Sequence, residues 1–177
     1  MKQTLIVVTG HPGSGKTTLA RQLAEKWGVV CVSKDALKER IFDGLGSYDK
    51  EWSLKVSGAA HRIMDDIVRQ ELAAGHSVIV ESNFKPEIDS ERFTAIVKEF
   101  GAECVQVLCE ASGDVLFERW NKRIERGERH EGHVEAISLD DIRRDLSLPY
   151  EPLRLPGYLL QVDTTGPADI ALPDLAL

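Results

Sequence analysis

The stretch Gly10–Thr17 reads GHPGSGKT and lies between the apolar run Leu5-Ile6-Val7-Val8 and the helix-forming segment Thr18–Ala24. A strand, a glycine-rich loop of the pattern G-x-x-x-x-G-K-[ST] and then a helix make one arrangement with one physical use. Gly10, Gly13 and Gly15 carry no Cβ, so the backbone can turn tightly and take positive φ. Successive N–H groups can then converge on an anion. The helix that follows adds the partial positive charge of its N-terminus. His11, Pro12, Gly13, Ser14, Gly15, Lys16, Thr17 and Thr18 are therefore expected to cradle the phosphates of a nucleoside triphosphate. Lys16 would reach the β- and γ-phosphates, and the Thr17 hydroxyl would face Mg²⁺. The alternative, a turn that matches the pattern by chance, does not account for a strand before it and a helix after it.

Hydrophobic patterning extends this unit along the chain. Val29–Val32, Val78–Val80, Cys104–Leu108 and Tyr158–Val162 read as further strands, short and rich in β-branched or apolar residues. Between them, helices are expected over Ala36–Phe42, Asp49–Ala74, Ile88–Phe100, Asp114–Arg126 and Leu139–Leu146. In the longest helix Val56, Ala59, Ala60, Ile63, Ile67, Val68 and Leu72 recur near helical period. Alternating strands and helices predict an α/β fold, a parallel sheet covered on both faces, and the continuous apolar strands agree. No repeat or long linker divides the chain, so residues 1–177 are expected to form one domain. The polar, glycine-containing stretch around residues 118–137 is the candidate for a mobile lid.

Asp35 follows the second strand, and in an open parallel sheet ligands gather beyond the carboxyl ends of the strands. A carboxylate there can accept a proton from a substrate hydroxyl; its alternative role is to cap the next helix. Lys34 and Lys38 flank it, either gripping substrate or lying on the surface as solvated lysines. Glu81 ends the third strand and could hold the water shell of Mg²⁺, which keeps several waters and takes few protein oxygens. Asn83, two residues on, could orient substrate. Arg119, Arg123 and Arg126 fall on one helix face at spacings of four and three, beside the apolar stripe Leu116, Trp120 and Ile124. Such a row can neutralise charge on a transferring phosphoryl group, with Arg129 and His130 closing the far end. The alternative is a solvated face paired with Glu118, Glu125 and Glu128.

Several signals point elsewhere and fail on spacing. His130-Glu131-Gly132-His133 places its second histidine one residue too early for H-E-x-x-H. Asp43-Gly44-Leu45-Gly46 follows a helix and not a strand, and Asn121-Lys122-Arg123-Ile124 has isoleucine where a guanine reader needs aspartate. Trp27, Trp52 and Trp120 read as packing residues, with only Trp52 placed to line a substrate pocket. Cys31, Cys104 and Cys109 form no C-x-x-C pair, so disulfides are not expected and a reducing, cytoplasmic compartment is. A net charge of -7 weighs against a protein that coats nucleic acid.

The loop GHPGSGKT, the segment SKDALKERIFD, the strand end VIVESNF and the stretch RWNKRIERGERHEGH together resemble the small P-loop kinases, relatives of polynucleotide kinase, chloramphenicol phosphotransferase, gluconate kinase and the zeta toxins. The resemblance runs from about Leu5 to Thr165. It implies a three-layer P-loop fold with a five-stranded parallel sheet in the order 2-3-1-4-5 and a small helical lid. It implies ATP and Mg²⁺, with Asp35 matching the residue that activates an acceptor hydroxyl and Arg119 and Arg123 matching lid arginines on nucleotide and phosphates. Val162–Pro167, with Thr165, resembles the loop beside the adenine. Lys38 stands where phage-type polynucleotide kinases carry arginine, and lysine lacks the bidentate fork that grips a phosphate backbone. Glu131 stands where many relatives have proline.

The combined expectation is an ATP-dependent kinase acting on a hydroxyl of a small molecule, with Asp35, Lys16 and Arg123 carrying catalysis, Lys34, Lys38 and Asn83 at the acceptor, and Thr17 and Glu81 at the metal. A polynucleotide 5′-hydroxyl kinase is one alternative. A nucleotide-binding or toxin-like regulatory module without transfer is another, against which the pairing of Lys16 and Thr17 with Asp35 argues, since a pure binder needs no base.

Overall fold

The computed structural model describes residues 2–128, 130–132 and 138–166. Strand β1 (Thr4–Gly10) enters the loop, and α1 (Lys16–Trp27) leaves it. Then come β2 (Val30–Ser33), α2 (Lys34–Leu45), α3 (Lys50–Ala73), β3 (Val78–Glu81) and α4 (Pro86–Phe100). The chain continues through β4 (Glu103–Glu110), α5 (Gly113–Glu125), α6 (Leu139–Ser147) and β5 (Tyr158–Asp163). The five strands form one sheet in the order β2-β3-β1-β4-β5, and every pairing is parallel. Each expected element is present, with ends displaced by at most three residues.

The strand between its neighbours β3 and β4 decides the architecture. All seven residues of β1 are buried. Its side chains alternate between two cores, as the strand period requires. Leu5 and Val7 join Met64, Val68 and Leu72 of α3 and Phe93 and Ile96 of α4 on one face. Ile6 and Val8 join Leu19, Ala20 and Leu23 of α1 on the other. Each fully buried leucine contributes about 1.5–3 kcal/mol relative to exposure. A third, smaller cluster of Leu116, Ile142 and Leu146 locks α5 to α6.

Burial on both faces does not extend to the whole sheet. The edge strands β2 and β5 are buried only in part, because each has a neighbour on one side alone and their outer faces are incompletely covered. The stripe on α3 also runs differently from its expected course. Ala59 and Ile63 face solvent, and the buried line is Ser53, Val56, Ala60, Met64, Val68 and Leu72, mostly at intervals of four. Met64 fills that line because its unbranched side chain adapts to the gap under β1 and β3. Among the described residues no helix is long and apolar enough to cross a membrane.

This topology brings the carboxyl ends of β1, β2 and β3 to one edge, where the sheet order reverses between β1 and β4. The glycine-rich loop, the start of α2 and the loop after β3 meet there.

Candidate active site

The loop requires its glycines. Gly10, Gly13 and Gly15 take φ values of 149°, 83° and 75°. A Cβ on Gly10 would sit 2.3 Å from the Cys109 carbonyl oxygen and 2.7 Å from Ser14 Oγ. One on Gly13 would sit 3.1 Å from the Leu116 carbonyl oxygen of α5. The loop closes through Ser14 N–H donating to the His11 carbonyl at 3.1 Å. Helix α1 starts at Gly15 with no side-chain cap and no acidic residue in its first turn. By contrast α2, α3 and α6 are capped by Ser33, Asp49 and Ser138, and α4 and α5, which also lack a side-chain cap, carry carboxylates in their first turns. Its first amides are therefore left for an external acceptor.

Lys16 is buried, and its ammonium donates to the His11 carbonyl at 3.2 Å. Ser14 Oγ is buried and has no hydrogen-bond partner. A glycine-shaped loop, an uncapped helix start, a buried ammonium and an orphan hydroxyl fit a triphosphate, which offers acceptors to their N–H and O–H groups.

Two residues brace this ring from outside. The Arg119 guanidinium donates to the Gly13 carbonyl at 3.3 Å and to the Thr164 carbonyl at 2.7 Å. Buried Thr164 places its hydroxyl 2.8 Å from both the Ser14 and the Glu110 carbonyls, sharing one proton between them. The expected residue, Thr165, is exposed, with its N–H on Asp163 Oδ1 at 2.8 Å. The sequence offers two adjacent threonines, and only the way the chain leaves β5 selects the first. Thr18 is exposed and lies outside the cavity described next.

A cavity of about 350 Å³ opens in front of the loop. Its lining brings together Lys16, Thr17, Asp35, Lys38, Asn83 and Arg123, residues scattered over most of the sequence. Ser33 is the N-cap of α2, accepting from Ala36 N–H at 3.4 Å, so capping does not account for Asp35. Lys34 Nζ lies 3.1 Å from Asp35 Oδ1; the lysine side chain is 11% exposed and the aspartate 45%. Neither Lys34 nor Lys38 is a solvated surface lysine. Lys38 is buried, with its ammonium 5.5 Å from the Phe42 ring centre.

Glu81 is 2% exposed and accepts from Ser33 Oγ at 2.8 Å, so it meets the cavity through Ser33 and does not line it. The Thr17 hydroxyl with a carboxylate one hydrogen bond behind is a donor set that suits Mg²⁺, which holds waters between itself and protein oxygens. Of the other arginines, Arg126 pairs with Glu128 at 3.6 Å, and Arg129 lies outside the described residues.

The tryptophans reverse their expected parts. Trp120 of α5 lines the cavity, whereas Trp52 donates from Nε1 to the Gly46 carbonyl at 3.0 Å and packs edge-on against Tyr48, outside it. Asp43 and Gly44 lie in the last turns of α2.

Part of the candidate lid, residues 129 and 133–137, falls outside the described residues. Of its described residues, 130–132 are docked onto α2 and α3. His130 stacks on Phe42, and Nε2 lies 3.2 Å from Asp43 Oδ1. Gly132 N–H donates to His130 Nδ1 at 3.0 Å, and the Gly132 carbonyl accepts from Ser53 Oγ at 3.1 Å. With Nδ1 accepting, Nε2 is the nitrogen that donates to the Asp43 carboxylate. Hydrogen bonds from His130 and then Arg40 hold the Asp43 carboxyl below its usual range. Gly132 fits because a Cβ there would meet the Phe42 ring at 2.2 Å.

Burial pushes the three thiols up, Cys31 and Cys104 to about 11 and Cys109 to about 12, so none is a thiolate nucleophile near neutral pH.

The parallel sheet in this order, the phosphate loop and the residues assembled before it define a P-loop kinase-like domain. The chain belongs to the AAA domain family, with the match running over residues 5–149. It is 42% identical to a protein from Chloroflexus aurantiacus j-10-fl assigned by inference as a kinase. That crystal structure superposes with a TM-score of 0.89 over 97% of this chain and 94% of the other. It is 31% identical over 123 residues to an uncharacterized protein of Mycobacterium tuberculosis, covering 65% of this chain but only 24% of that one. The chain thus spans about a quarter of that relative's length. An adenylate kinase of Micrococcus luteus is 26% identical over 175 residues, 94% of this chain and 85% of that protein.

Proposed function

We propose that this chain is an ATP-dependent kinase that moves the γ-phosphoryl group to a hydroxyl of a small molecule. The observation that carries the reading is the shared cavity: the Asp35 carboxylate lines the same space as Lys16 and Thr17 of the phosphate loop. An alcohol must give up a proton as it attacks, and a carboxylate beside it accepts that proton. A phosphate acceptor is already an anion, and a carboxylate at the same place repels it. Asp35 therefore favours an alcohol over the phosphate that an adenylate kinase uses.

Each side chain has a part in the transfer. Asp35 takes the hydroxyl proton while the alcohol oxygen forms its bond to the γ-phosphorus and the bond to the departing nucleoside diphosphate breaks. Lys34 at 3.1 Å holds the carboxylate in place and balances its charge. Lys16 and Arg123 line the same cavity and neutralise charge on the phosphoryl group in flight. Thr17, with Glu81 acting through Ser33, would hold Mg²⁺, which supplies further neutralisation when bound. A cavity of this size and a net charge of -7 give a polynucleotide acceptor less support.

Asp35→Asn tests the assignment. Calorimetry should show ATP affinity within about twofold of wild type, and labelled-phosphate transfer should fall about 10²–10⁴-fold. Transfer at near wild-type rate would remove Asp35 from the chemistry.

A further inference from the structure

A second cavity, of about 370 Å³, lies on the far side of the phosphate loop's first residues, walled by the β3–α4 loop, α5, α6 and the segment after α6. Pro12, Asn83 and Trp120 line both cavities, so the two adjoin. Their chemistry differs. The first carries Lys16, Arg21, Lys34, Lys38 and Arg123 against Asp35, Glu39 and Glu128, a cationic surplus that a magnesium-bound triphosphate offsets. The second is walled mainly by Phe84, Pro86, Trp120, Ile142, Leu146 and Tyr150.

Its polar groups are few and partly spent. The Tyr150 hydroxyl donates to the Phe84 carbonyl at 2.5 Å and lies 3.0 Å from Thr9 Oγ1. His11 Nε2 is bonded to the Leu148 carbonyl at 2.9 Å, which makes it the donor and leaves Nδ1 as an acceptor. Asn83 accepts from Ser82 Oγ at 3.3 Å. The remaining charged groups are the exposed carboxylates of Asp145 and Glu151 and the exposed ammonium of Lys85. Asp145 Oδ1 lies 4.0 Å from Arg144 Nε. The unspent groups are thus mostly acceptors with negative charge in excess.

We infer that this second cavity receives the non-reacting body of the phosphoryl acceptor, and that the acceptor is an apolar amino alcohol. The inference rests on the kinase reading above and names its substrate class. The alcohol end reaches past Asn83 and Trp120 to Asp35, the apolar body fills the space between Phe84, Ile142 and Leu146, and the ammonium meets Asp145 and Glu151. A polyol is disfavoured because its hydroxyls would lose water without gaining partners on this lining, each costing about tenfold or more in affinity. An anionic acceptor such as a nucleoside monophosphate meets two carboxylates and one lysine.

The test uses the full chain saturated with a non-hydrolysable ATP analogue, with binding read by ligand-observed NMR titration. Three probes share one body: phenylalaninol, phenylpropanol and phenyllactate; glucose and AMP complete the set. Phenylalaninol should bind at least tenfold tighter than phenyllactate, glucose or AMP, with phenylpropanol between. Glu151→Lys, an exposed change that should fold normally, should weaken phenylalaninol about tenfold and phenylpropanol less than twofold, with analogue affinity unchanged. Equal binding of glucose, AMP or phenyllactate, or an unaltered phenylalaninol affinity in Glu151→Lys, would overturn the assignment. Labelled-phosphate transfer in parallel separates the two levels. Transfer to glucose or AMP with no selective apolar binding would sink the cavity assignment and leave the kinase reading standing. Selective binding of phenylalaninol without transfer to any alcohol would do the reverse.

Discussion

The two ends of the site are built from different materials. The nucleotide end is made of main chain: a ring of amides held by glycine geometry, braced by carbonyl contacts from Arg119 and Thr164. The proposed acceptor end is made of side chains from α2, α5, α6 and the loop after β3. Backbone recognises what every nucleotide shares, the phosphates, and tolerates little change. Side chains recognise what differs between acceptors and can be exchanged one at a time. Substitutions at the first end should therefore damage both binding and folding, and those at the second should change selectivity or rate alone.

The largest effect expected from breaking this contrast is at Lys16. Lys16→Ala removes a buried ammonium from the phosphate loop, and on the kinase reading kcat/KM should fall about 10²–10³-fold, the typical loss for one charge-stabilising donor in a closed site. Steady-state kinetics checks it; a loss below tenfold would mean that the amides suffice. Next is Gly10→Ala. The new methyl meets the Cys109 carbonyl at a φ that alanine resists, so the fold should lose about 3 kcal/mol or more. For a domain of this length that lowers Tm by roughly 6–12 °C, measurable by calorimetry. An unchanged Tm would show that the loop relaxes more freely than its packing implies.

Thr164→Val should cost about 1–3 kcal/mol of stability, since it keeps the shape and removes the one proton shared by the Ser14 and Glu110 carbonyls. Its sharper readout is ATP affinity, which should weaken several-fold, whereas Thr165→Val should not change it. The smallest effect concerns the docked stretch. Asp43 has a depressed carboxyl pKa, so its contribution is complete above the unfolded value near 3.9 and is lost as pH falls through the lower folded value. Acidification should thus speed hydrogen exchange at the Gly132 amide, and His130→Ala should reproduce that at neutral pH. Exchange that slows on acidification beyond its intrinsic pH dependence would contradict the latch.

The sequence carried the geometry of the phosphate loop, because one spacing of glycines, lysine and threonine encodes a main-chain path between a strand and a helix. It also carried the sheet, since β1, β3 and β4 are apolar enough to require cover on both faces. It failed where an answer depends on what lies across space. Burial of Lys34 and Lys38 depends on how α2 packs against the rest of the fold, which no local pattern records. The exchange of roles between Trp52 and Trp120 turns on how α5 leans over the loop. The bracing of the loop by Thr164 depends on how the chain leaves β5, and the docking of His130 and Gly132 on Phe42 has no signal in a stretch so polar. Met64 and Ser53 of the α3 stripe were passed over because neither is a strong hydrophobic marker, though both lie at the right interval.

The central claim is that a carboxylate and a nucleotide's terminal phosphate share one cavity with room for an alcohol. The most direct measurement pairs wild type with Asp35→Asn, following transfer from γ-labelled ATP to a panel of amino alcohols, neutral alcohols, sugars and nucleosides while ATP affinity is recorded in parallel. The account predicts transfer to at least one alcohol by the wild type, and its loss in the variant at unchanged ATP affinity. Equal transfer by both proteins, or ATP binding with no labelled product from any alcohol, would contradict it.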